Sequence, residues 1–219
     1  MDLEAALFDG SRFVQTLGPD RTEQLIDRFD IFFSEHRDHE DLARLFAAFR
    51  SAEYHNVATL REWLRDTPEP EVRSAYTDVA AQESRHARMW TDRMCAMVGD
   101  DDVARRYADP CGMPALAQYF RLWDSYATAT NLPARLAYLS LTDAWIGMAY
   151  GSYLLWADHT TRETLEEILA DEVSQVSLAE SMIDRLVDDS HDRDMLVIEQ
   201  GCIAGLLLEV ADGFMNSGI

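Results

Sequence analysis

Lysine is absent from this sequence; all 19 basic residues are arginine. That excludes a lysine Schiff base, a lysine general base and the phosphate-binding loop that ends in Gly-Lys-Ser/Thr. Cysteine is nearly as scarce. Cys95, Cys111 and Cys202 are odd in number, widely spaced and form no Cys-x-x-Cys pair, so disulfide staples and a cysteine-built cluster are not expected. A reduced, cytoplasmic setting is the simplest reading. The longest apolar run, around Cys202 to Leu208, is far too short to cross a bilayer. The N-terminal Met1-Asp2-Leu3-Glu4 is acidic and does not read as a signal peptide. Gly-x-Ser-x-Gly is missing too, which counts against nucleophilic hydrolysis.

Positive charge as a whole is in short supply. Forty acidic against 19 basic residues give a net charge of −21. Nucleic acids and anionic membranes both require a basic face, so neither is an expected partner. Most of this acid belongs on a solvated surface. At 219 residues the chain is read as one domain, 1–219, long enough to bury a sizeable core without staples.

Valine and isoleucine are few beside Ala, Leu, Arg and Glu, and apolar residues recur at spacings of three and four. No segment alternates long enough for a strand, so the fold class is all-α. Two short helices are predicted over 2–17 and 21–36, separated by Gly18-Pro19-Asp20. The His36-Arg37-Asp38-His39 turn is read as solvated linker. A long helix over 40–65 carries Leu42, Leu45, Phe46, Phe49, Glu53, Val57 and Leu60 near one stripe, with a glutamate interrupting the apolar face. Pro68 and Pro70 end it and start the next, which runs to Val98 and stops at Gly99. Residues 99–132 are broken by acids, Gly112 and Pro114, with a short helical piece around 115–129. A third long helix begins near Pro133 and continues to Trp156 or Ala157; a fourth runs to about Val187. A last one, about 192–213, is expected to pack across the others. Two helical hairpins joined by a long crossover describe an elongated four-helix bundle, its helices about 40 Å long at ~1.5 Å per residue.

Polar residues repeat within this pattern. Glu83 and His86, three apart, project from one helix face within reach of one ion. Glu172 returns in the fourth helix in the same frame, with Gln175 where the histidine would fall. Each is preceded by a carboxylate on the helix before: Glu53 thirty residues ahead of Glu83, Asp143 twenty-nine ahead of Glu172. On the third helix Tyr138, Trp145, Tyr150, Tyr153 and Trp156 accompany Ser140, Gly147 and Gly151, as either a substrate cavity or close helix packing.

Over about residues 40–188 this arrangement resembles the ferritin-like di-iron carboxylate superfamily, which places Glu on helices one and three and Glu-x-x-His on two and four. The resemblance implies a ferritin-like four-helix bundle, and Glu53, Glu83, His86, Asp143 and Glu172 at metal-ligand positions. Carboxylates supply hard anionic oxygens for divalent cations, and imidazole leaves open positions for oxygen. The resemblance also places Asp171 where it would orient the His86 ring; Gln82 takes the matching position in the first half, and its amide is expected to hydrogen-bond that of Gln175. Two departures stand out: Asp143 replaces the usual Glu, and Gln175 replaces a histidine with a neutral amide, a poor iron ligand. What the resemblance implies is a non-heme iron oxidase or oxygenase, with manganese as the other candidate metal, using dioxygen or peroxide on a small organic substrate. The other reading is a degenerate, metal-free bundle that acts as a non-catalytic partner subunit or as a metal-independent acid–base enzyme. A homodimer or a ferritin-like partner subunit is compatible with either.

Overall fold

The structure, a computed structural model, describes residues 12–35, 37–101, 103, 107, 120–121 and 124–216. Every regular element among these is helical and none is a strand. The helices are α1 (Arg12–Leu17), α2 (Pro19–Ser34), α3 (His39–Asp66), α4 (Pro70–Val98), α5 (Leu132–Leu154), α6 (His159–Leu186) and α7 (Ser190–Met215). None is long and apolar enough to cross a membrane. Residues 2–11 of the helix predicted over 2–17, and residues 115–119 and 122–123 of the piece predicted over 115–129, lie outside the described residues.

Local chemistry sets the boundaries. Gly18, at φ 88°, turns the chain between α1 and α2, and Pro19 sits in the first turn of α2. That helix therefore starts two residues earlier than the periodicity predicts. Asp38 caps α3 by accepting from the N–H groups of Glu40 and Asp41 at 2.9 and 3.0 Å. Arg37, read as solvated linker, is buried instead and donates to the Glu35 carbonyl. Gly99, at φ 86°, closes α4 with its N–H on the Cys95 carbonyl. Asn131 and Asp158 cap α5 and α6 through bonds to the N–H groups of Ala134 and Thr161. Helix α5 stops at Leu154, so Trp156 falls in the following turn and is half exposed.

The chain divides into two compact units. Among the described residues, one comprises Glu35–Thr128 and the stretch from Asp212 onward. Its centre is the hairpin of α3 and α4, joined by the short Thr67–Glu69 connection and packed along their length. Trp63 of α3 is fully buried against Tyr76 of α4, ring centroids 5.3 Å apart, and its indole N–H reaches the Tyr126 carbonyl at 3.0 Å. Phe46 and Phe49 of α3 meet Trp90 of α4 at 5.1 and 5.0 Å.

The other unit takes the described residues up to Ser34 and Ala129–Ala211. Here α5 pairs with α6, and α1 and α2 pack on α5. Every residue of α5 from Pro133 to Tyr150 is buried, as for a helix that is apolar all round. Phe29 of α2 meets Trp145 edge-on at 5.4 Å, and Phe33 stacks on Tyr153 at 4.7 Å. These aromatic rings of α5 are thus engaged in helix packing.

Two outcomes test this account. Trp63→Ala empties the place of a fully buried tryptophan in the first hairpin and is expected to cost ~3–5 kcal/mol, read from denaturant unfolding. The Asp38 carboxyl is held below the usual carboxylate range, chiefly by the Asp41 N–H, with Glu40 and Arg44 acting in the same direction. A lowered folded-state value means the stabilisation is present above the unfolded-state pKa and is lost as pH falls through the folded one. Asp38→Ala should therefore destabilise the protein at pH 7 and match the wild type once the pH is well below the ordinary aspartate range.

Candidate metal centre

Helices α3 and α4 bring three of the anticipated side chains together inside the hairpin. Glu53 stands in the middle of α3 on its buried stripe, and Glu83 and His86 share one face of α4. Exposures of 0 % for Glu53, 1 % for Glu83 and 0 % for His86 rule out the reading of surface charge. His86 Nδ1 lies 3.9 Å from Glu53 Oε2 and 3.9 Å from Glu83 Oε1. The ligand atoms of the three residues all lie within 4.8 Å of one another.

The remaining oxygens of both carboxylates are occupied by neutral donors. Asn56 donates its side-chain N–H to Glu83 Oε2 at 2.9 Å, and the Trp90 indole N–H points at Glu53 Oε1 from 3.4 Å. Asn56 and Trp90 are themselves buried. Sequence reasoning passed over both. The signal was available: Asn56 is three residues beyond Glu53 and Trp90 four beyond His86, so each shares a helix face with a ligand.

Arg50 stands three residues before Glu53 on α3. Arg50 is buried, which pushes its guanidinium pKa down, and it donates to the Tyr107 carbonyl. Cys95 offers no reactive thiolate either, because burial and then the Asp100 side chain push its thiol up.

The donor set suits a divalent cation. Two hard oxygens and an imidazole nitrogen are the ligands that iron and manganese accept. With bonds of about 2.1 Å, ligands at right angles lie ~3.0 Å apart and opposite ligands ~4.2 Å apart. The separation of 3.9 Å falls between these limits.

The anticipated residues of the other unit are placed as follows. Asp143 is buried on α5, with Thr142 donating its hydroxyl to Oδ1 at 3.3 Å. It joins no cluster of three or more acidic, histidine or cysteine ligand atoms among the described residues. Glu172 and Gln175 are buried one turn apart on α6, and Asp171 beside them is half-buried. Gln82, next to Glu83 on α4, is also half-buried.

No family model, curated protein or solved structure matches this chain. The site therefore stands on its own geometry.

Binding should be visible as stabilisation. At free Mn²⁺ or Co²⁺ a hundred times its Kd, the folded state gains ~2.7 kcal/mol, and the melting temperature rises accordingly. Glu83→Gln and His86→Ala each remove a ligand and should abolish most of that rise when melting is followed by circular dichroism.

Proposed function

We propose that the chain is a ferritin-like non-heme iron enzyme that uses dioxygen or peroxide to oxidise a small organic substrate. The observation that carries this reading is the buried group of Glu53, Glu83 and His86 within one helical hairpin. Two carboxylates buried at this range repel each other and, with the imidazole, lose their hydration, at a cost of several kcal/mol unless a cation or protons offset it. A bound iron would supply open coordination positions for dioxygen or peroxide and a change of oxidation state. The chain's own contribution is to hold three ligands and keep water from crowding them.

The resemblance of the Glu/Glu-x-x-His frame adds Glu172 as a fourth ligand and assigns Asp143 to a second, weaker position. Gln175 supports that asymmetry: an amide in place of an imidazole weakens one end of the frame and leaves the other intact. Manganese fits the same ligands. The competing reading, a metal-free partner subunit or an acid–base enzyme, is favoured by the same glutamine and is separated from the first by metal content.

Protein produced with iron and reconstituted without oxygen should hold close to one equivalent of iron by elemental analysis. It should consume dioxygen on exposure to air at a rate that His86→Ala lowers by at least an order of magnitude. Less than a tenth of an equivalent of any transition metal after reconstitution would reject the enzyme reading in favour of the metal-free one.

A further inference from the structure

Each carboxylate of the α3–α4 group is gripped from the opposite helix. Asn56, on α3, holds Glu83 of α4 through Oε2; Trp90, on α4, faces Glu53 of α3 through Oε1. The other oxygen of each carboxylate, Glu83 Oε1 and Glu53 Oε2, is the one that lies 3.9 Å from His86 Nδ1. We propose that Asn56 and Trp90 are positioning residues: they turn the two glutamates so that each offers a single oxygen to an ion bound beside His86. The proposal rests on the metal-binding reading above and adds which atoms bind and what fixes them.

Three physical points support it. A carboxylate oxygen only accepts, so the Asn56 group facing Glu83 is the amide N–H₂ and its orientation is set by chemistry. Both donors are buried: Asn56 is 5 % and Trp90 0 % exposed, and the Trp90 ring packs against Phe46 and Phe49 at 5.1 and 5.0 Å. Both are also neutral. An arginine in either place would satisfy the oxygen and cancel the charge that attracts the cation, whereas an amide and an indole satisfy it and leave the charge in place. An oxygen tied to an N–H is a weaker metal ligand, so each glutamate binds through one atom and coordination positions stay open.

The test uses the full-length protein and Co²⁺ alone as the probe, with Asn56→Leu and Trp90→Phe. Both substitutions keep most of the side-chain volume and delete the donor. Each is expected to lower Co²⁺ affinity by about 10- to 100-fold in chelator competition. Each should also shift the visible Co²⁺ absorption band, because a released carboxylate can bind through both oxygens. A purely structural role would change the melting temperature of the metal-free protein and leave that band where it was. If Asn56→Leu does not fold, Trp90→Phe, which retains the ring, carries the test. Affinity within twofold of wild type together with an unshifted band overturns the assignment for the residue concerned. A wild-type protein that takes up no Co²⁺ overturns the metal reading itself, a different result from a variant that binds as well as wild type.

Discussion

Burying like charges is the constraint on which the first hairpin depends. Glu53 and Glu83 sit with His86 where water is excluded, on helices whose buried positions are otherwise mostly apolar. An apolar core of the same volume would cost less to fold. Asn56 and Trp90 lower that cost in part by donating to two of the carboxylate oxygens. The aromatic contacts of Phe46 and Phe49 with Trp90 do two things at once: they close the hairpin, and they hold in place the indole that faces Glu53.

The hairpin form itself supplies the register. A short proline-bounded connection between two long helices returns the chain antiparallel, which puts the middle of α3 opposite the middle of α4. Glu53 near the centre of one helix then meets Glu83 and His86 near the centre of the other. In the second hairpin, α5 and α6, Asp143, Glu172 and Gln175 are likewise buried. The charge of the whole chain, −21, adds a general pull on cations and does not choose among them.

The long helices were legible because their ends carry explicit signals. Pro70 and Gly99 bracket α4 as the sequence predicts, and the start of α5 near Pro133 follows from the same rule. Where signals conflict, the reading slips. Gly18-Pro19 looks like a spacer, yet proline is at home in a first turn and α2 begins there. Arg37 looks like a solvated charge, yet it is buried and donates to the Glu35 carbonyl. Trp156 continues the apolar pattern of α5 beyond the point where the helix has already turned.

Sequence alone determined the helical class and the candidate ligands, because the period of apolar residues and the spacing of Glu, Glu and His are local properties of the chain. It did not determine that Asn56 and Trp90 belong with them. An asparagine or a tryptophan on a helix has no fixed meaning until the facing helix shows what its N–H can reach. Nor could spacing show that Arg50 donates to the Tyr107 carbonyl. Those assignments came from tertiary structure, since a hydrogen bond is decided by which partner lies within about 3 Å in space.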